Sequence, residues 1–230
     1  MRFQDAARDG RAVVYAAIQA DPLVTRTAAL LADADGAGRL LARAVMNGQR
    51  TDPAAWRTMF PSLFGPDVSP DRRDRSEAIL AAALAVADRG EQVRSQIRGA
   101  IVEALTAILL ARRPGLDRST IRRERRILFD GIPTEIHPYD VTVETVPTAE
   151  AWDCKWGARG IGADVLHQLD DARVHAADEE EALTVGLVVF DAERSCRVRL
   201  DAQTAPRGST ELVSIETLDR LTRPASQRRA

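Results

Sequence analysis

Residues 149–160 read AEAWDCKWGARG, an apolar run of Trp, Cys and Trp interrupted by an Asp and a Lys. Successive side chains of a β-strand point to opposite faces. Glu150, Trp152, Cys154 and Trp156 then share one face, which buries, while Ala151, Asp153 and Lys155 share the other. Asp153 and Lys155 therefore project side by side. The lysine is also solitary: of 32 basic residues, every one except Lys155 is Arg. Arg replaces Lys freely where only surface charge matters, but its pKa is too high to tune and its planar fork fits a different geometry. A constraint on position 155 explains the exception. The plain alternative is chance survival under the codon bias that makes Ala and Arg abundant.

Working outward, PYDVTVET (138–145) alternates in the same way, with Tyr139, Val141 and Val143 on one face and Asp140, Thr142 and Glu144 on the other. VPTA reads as the turn of a hairpin that brings Asp140 near Asp153. Two carboxylates beside one ammonium suit a hard divalent cation, which takes oxygen ligands. RRILFDG (125–131) and ALTVGLVVFDA (182–192) read as further strands, and a helix from about Ile161 to Ala182 precedes the latter. CRVRLDA (196–202) reads as another strand and SIETLDRLTR (214–223) as a short helix.

Upstream the chain reads as helical. RAVVYAAIQA, TRTAALLADA, GRLLARAVMNG and DPAAWRTMF carry helical spacing, with Asp52 as a cap and Pro53 at the first helical position. FPSLFGPDVSPDRRDRS (60–76) has no period and reads as a linker or functional loop. Helical pattern resumes at Ser76 and continues through EQVRSQIRGAIVEALTAILLARR to Pro114-Gly115. The expected organisation is an all-helical N-terminal region over 1–75, an α/β domain over 76–222 with a mixed sheet flanked by helices, and a disordered basic tail over 223–230.

Hydrophobic content of 45% allows a sizeable core, and a net charge of −2 announces no global attraction to nucleic acid or membrane. No run of about 18 apolar residues occurs, and MRFQDAARDG lacks a signal-peptide core. A cytoplasmic protein without membrane partners is expected. Cys154 and Cys196 form no CxxC pair, and His137, His167 and His175 are too scattered for structural zinc. Cys154 beside His137 is a weak thiol nucleophile candidate, because Cys154 faces away from Asp153 and packs in the core. GxSxG, Walker A and GxGxxG signatures are lacking.

Asp140, then twelve residues, then Asp153-Cys154-Lys155 resembles the PD-(D/E)XK nuclease superfamily, the restriction-endonuclease-like fold. Its αβββαβ core order matches the elements read from Glu91 to about Ala192. A Tyr stands between Pro138 and Asp140, where the family pattern is Pro-Asp. The resemblance implies metal-dependent phosphodiester hydrolysis. Mg²⁺, with Mn²⁺ as substitute, would be held by Asp140, Asp153 and the Cys154 carbonyl, and Glu103 on the preceding helix would act directly or through water. Lys155 would orient or help deprotonate the attacking water, and Gln168 on the following helix matches a Gln used in some branches. On a helical wheel Glu103 falls in a polar or small stripe with Gln92, Gln96, Gly99, Ala107 and Leu110. The plain alternative there is a solvated surface Glu. The implied function is an endonuclease acting on DNA rather than RNA, in defence against foreign DNA or in repair. The alternative is a non-catalytic nucleic-acid-binding or assembly subunit on the same fold.

Charge by segment refines this. Residues 112–126 carry seven Arg against two acids, and Arg122, Arg123, Arg125 and Arg126 are expected to contact phosphates. An ordinary Arg-rich loop is the alternative. Residues 141–222 hold eight basic and sixteen acidic groups. Weak intrinsic affinity for DNA is expected, with targeting by a homodimer or partner subunit through the helical region.

Overall fold

The computed structural model describes residues 1–6, 10–48, 52–133, 137–203 and 210–228. It divides into two compact units, Gly10–Leu105 and a second formed by Met1–Asp9 with Thr106–Ala230. The division falls within a helix rather than at residue 75.

The first unit is helical: α1 (Gly10–Gln19), α2 (Pro22–Ala32), α3 (Gly36–Asn47), α4 (Pro53–Met59), α5 (Pro61–Phe64), α6 (Pro70–Ala87) and residues 91–105 of α7 (Glu91–Leu110). Asp21, Asp35 and Asp52 cap α2, α3 and α4 by accepting the backbone N–H of Leu23, Gly38 and Ala54. The stretch at 60–76 is not a linker. Pro61 and Pro70 open helices, in the first turn where a missing N–H leaves no bond unmade. Helix α6 packs on α2 and α3. Residues on both sides of position 75 thus share one core, with Leu31, Leu41, Val45, Leu80, Ala83 and Val86 all buried.

The second unit is α/β. Its strands are β1 (Arg2–Asp5), β2 (Ile121–Phe129), β3 (Ile132–Pro133), β4 (Tyr139–Val143), β5 (Thr148–Lys155), β6 (Ala182–Val189) and β7 (Glu211–Val213). They form one sheet in the order β1-β2-β4-β5-β6-β7, with β3 on β2. The first four along that path pair antiparallel, and β5-β6 and β6-β7 pair parallel. A parallel neighbour requires a crossover, which helix α8 (Ala163–Asp178) supplies between β5 and β6. Leu166, Leu169 and Ala172 of α8 pack with Ile127, Tyr139, Ala151, Val185 and Leu187 of the sheet. On the other face of β5, Trp152 is fully buried and stands beside Gly186 of β6. A Cβ at Gly186 would lie 2.4 Å from the indole, which accounts for the glycine inside LTVGLVV. On that face too, Cys154 Sγ lies 3.5 Å from Thr106 Oγ1 in the last turn of α7.

The ends of the chain differ from expectation. RFQD, expected to be helical, is strand β1, antiparallel to the apolar end of β2. CRVRLDA is not a strand but lies mostly in helix α9 (Glu193–Asp201). Cys196, Val198 and Leu200 alternate as a strand would, yet only Cys196 is fully buried, Val198 is 64% exposed, and an i,i+4 pair joins Glu193 to Arg197. SIETLDRLTR yields a 3₁₀ turn at Leu218–Thr222. The expected disordered tail contains helix α10 (Ala225–Arg228), ending on a buried arginine; residues 229–230 lie outside the described set.

Arg228 is tied into the sheet by charge. It donates to Glu150 Oε2 at 2.9 Å and to Glu211 at 3.1 Å, and lies 5.1 Å over the Trp152 ring. Arg113 grips the same Glu150 through both terminal nitrogens, at 2.5 and 2.9 Å. Among the described residues, no helix is long and apolar enough to cross a membrane.

Candidate metal centre

The antiparallel register pairs Val141 with Trp152, so one step further puts Asp140 across from Asp153. Directly opposed residues share a face. At this point the Asp140 side chain takes over from the ladder, its Oδ2 accepting the Cys154 N–H at 2.6 Å. The N–H and C=O of one strand residue point to the same side, so the Cys154 carbonyl is directed toward Asp140 as well. Asp153 is buried and Lys155 half-buried, with Nζ 2.5 Å from Asp153 Oδ1.

Asp140, Asp153 and Lys155 line one cavity of about 260 Å³, together with His137, Pro138, Gly160, Asp164, Val165 and Gln168. Three carboxylates against one ammonium leave the lining formally short of positive charge. Burial pushes the Asp153 carboxyl above its ordinary range, Lys155 opposes that shift, and Asp164 adds to it. Burial would lower the Lys155 pKa, but Asp153 and Asp140 outweigh it, and the ammonium is held well above its usual value. Without a cation, the lysine is therefore protonated and partly neutralises the acids. Asp153 Oδ1 is buried, with the Lys155 ammonium as its charge partner. A buried carboxylate beside further acids in one cavity, with a single ammonium among them, fits a hard cation.

The sequence did not single out two of the acids near this point. Asp164 enters from the first turn of α8. Glu124 follows from the β2-β4 register, which pairs Arg123 with Val141 and Arg125 with Tyr139 and so sets Glu124 across from Asp140. The carboxylate oxygens of Glu124 and Asp140 approach within 4.8 Å. Glu124 adopts φ 52°, a left-handed conformation uncommon for a residue with a side chain. Within IRRERR it read only as an acid among arginines.

Most of the remaining candidates have partners of their own. Gln168 lines the cavity, but its amide is engaged with the His137 backbone, accepting from N at 3.2 Å and donating to O at 3.0 Å. It positions the segment that carries Asp140. Glu103 belongs to the helical unit, where its carboxylate accepts from the Tyr15 hydroxyl and from Gln19 Nε2 at 2.7 Å. At 3% exposure it is not a solvated surface residue. Of the four arginines proposed for phosphate contact, Arg125 is held by Glu144 at 2.6 Å and by Asp5, which makes it a structural ion pair. Arg123 and Arg126 are half-buried on β2, and Arg122 is exposed.

Compared with family models, curated proteins and solved structures, the chain finds no match.

Proposed function

We propose that this protein is a metal-dependent nuclease of the PD-(D/E)XK kind, hydrolysing phosphodiester bonds in DNA. One observation carries the reading: Asp140, Asp153 and Lys155 line a single acid-rich cavity, with the Lys155 ammonium 2.5 Å from the buried Asp153 Oδ1. The run of helix, antiparallel strands, crossover helix and parallel strand from α7 to β6 supports it.

Asp140, Asp153 and the Cys154 carbonyl are the groups that would hold Mg²⁺ or Mn²⁺. The ion would supply charge stabilisation at the phosphate and a bound water of lowered pKa. The side chains provide the remainder. Gln168 fixes the backbone leading into Asp140. Lys155, its stem packed against Gly160, holds a compact donor where the attacking water must be oriented. Defence against foreign DNA or DNA repair is the proposed setting.

Supercoiled plasmid incubated with Mg²⁺ or Mn²⁺ is expected to be nicked or linearised. Ca²⁺ is expected to support binding without cleavage. Asp153→Asn should be inactive while melting at a temperature no lower than the parent. Cleavage that persists in excess EDTA, or that Asp153→Asn retains, overturns the reading.

A further inference from the structure

The chain segment that follows Lys155 separates two hollows. Gly160 lines the acidic cavity, and a Cβ there would sit 3.0–3.2 Å from the methylene stem of Lys155. The preceding residues, Ala158 and Arg159, face away into a shallow, open depression of about 440 Å³ whose other wall is helix α9. Three arginines line it, Arg159, Arg194 and Arg199, and among the described residues no carboxylate does. Residues 141–222 hold only eight basic groups against sixteen acidic ones. Three of those eight converge here.

These side chains are not neutralised locally. Arg159 and Arg194 are exposed and have no acidic partner among the described residues, whereas the neighbouring Arg197 is paired with Glu193 at 2.5 Å. Arg199 donates from Nε to the Ile161 carbonyl at 3.0 Å, which anchors its guanidinium and leaves the terminal nitrogens for a ligand. The platform is itself well held. Asp191, buried at the end of β6, accepts the Ala158 N–H at 3.0 Å and that of Ala192 at 2.7 Å, fixing the turn and the start of α9 together. Guanidinium groups without carboxylate partners, on a rigid concave surface, are suited to phosphate oxygens.

Adjacency selects the ligand. The two hollows meet at the three-residue 3₁₀ turn Ala158–Gly160, with Gly160 lining the acidic cavity and Ala158 and Arg159 lining the arginine-rich one. A polyanionic strand with one phosphate at the acidic cavity carries further phosphates past its edge. We infer that Arg159, Arg194 and Arg199 form the cleft that holds the DNA backbone beside the cleaved phosphate. This deepens, and rests on, the nuclease reading above. It also moves the main phosphate contacts away from β2, where Arg125 is already committed to acids.

Arg159→Ala/Arg194→Ala tests it, because neither side chain has a structural partner among the described residues whose loss would disturb folding. Binding of a fluorescently labelled random-sequence DNA duplex is measured by anisotropy in Ca²⁺ over a range of salt, with plasmid nicking in Mg²⁺ assayed on the same preparations. The double variant is expected to bind about tenfold or more weakly at low salt, and its slope of log affinity against log salt is expected to fall by about two. Arg122→Ala/Arg123→Ala should change both less. If wild type binds and cleaves while Arg159→Ala/Arg194→Ala keeps the same affinity and slope, the cleft is wrong and the nuclease reading stands. If binding depends on these arginines but wild type never nicks plasmid, they remain a DNA-binding surface, and the nuclease reading falls together with the cleaved phosphate beside them. Absence of DNA binding by wild type at low salt overturns the cleft.

Discussion

Glu150→Ala is expected to lower stability by about 3–5 kcal/mol, which at about 2–4 °C per kcal/mol for a chain of this size is a fall of roughly 6–20 °C in Tm. The carboxylate is buried against two buried guanidiniums, bidentate to Arg113 and singly to Arg228, and also accepts the Trp152 indole N–H at 3.1 Å. Removing it leaves both cations without their common counter-charge in a low-dielectric interior. Arg228→Ala should cost less, since Glu150 keeps Arg113. Burial alone would raise the Glu150 pKa; Arg113 and Arg228 outweigh it and hold the carboxyl below its ordinary value of 4.5. A folded pKa below the unfolded one gives stability that is complete above the unfolded value and lost as pH falls through the folded one. The gap in Tm between wild type and Glu150→Ala should therefore be widest near neutral pH and narrow on acidification below about 4. Equal melting at pH 7 would show the network to be energetically idle.

Strand alternation made the Asp153 side of β5 legible. Asp153 and Lys155 stand on one face and Trp152 and Cys154 on the other because the period of two survives any tertiary context that buries both faces. Glu150 was placed on the correct face but not recognised as a charge centre. Its partners Arg113 and Arg228 are 37 and 78 residues away, and nothing local announces them. Glu124 was hidden differently: its relation to Asp140 exists only once β2 is registered against β4. The errors at the chain ends have a common cause. Four residues of β1 are too few to establish a period, and the apolar residues of α9 fall by chance at spacing two. The stretch 60–76 reads as a linker because a proline that ends one helix and a proline that begins another look alike until the next turn is packed.

The sharpest consequence of the proposed function concerns the lone lysine. Lys155→Arg is expected to reduce plasmid cleavage about 10²–10⁴-fold, nearly as far as Lys155→Ala, because general acid–base help of this kind typically contributes that much. Arg keeps the positive charge and can still pair with Asp153, so folding should survive, and a merely electrostatic role would survive with it. The electrostatics of the site argue against such a role. What holds the ammonium protonated is the pair Asp153 and Asp140. Any cation shared by those carboxylates withdraws that support and brings an amine's pKa down toward a useful range, where a guanidinium's stays out of reach. Nicking time courses of wild type, Lys155→Arg and Lys155→Ala at matched Mg²⁺, with melting curves for each, separate the two cases. If Lys155→Arg nicks at close to the wild-type rate, position 155 needs only a charge, and codon bias left its single lysine there by accident.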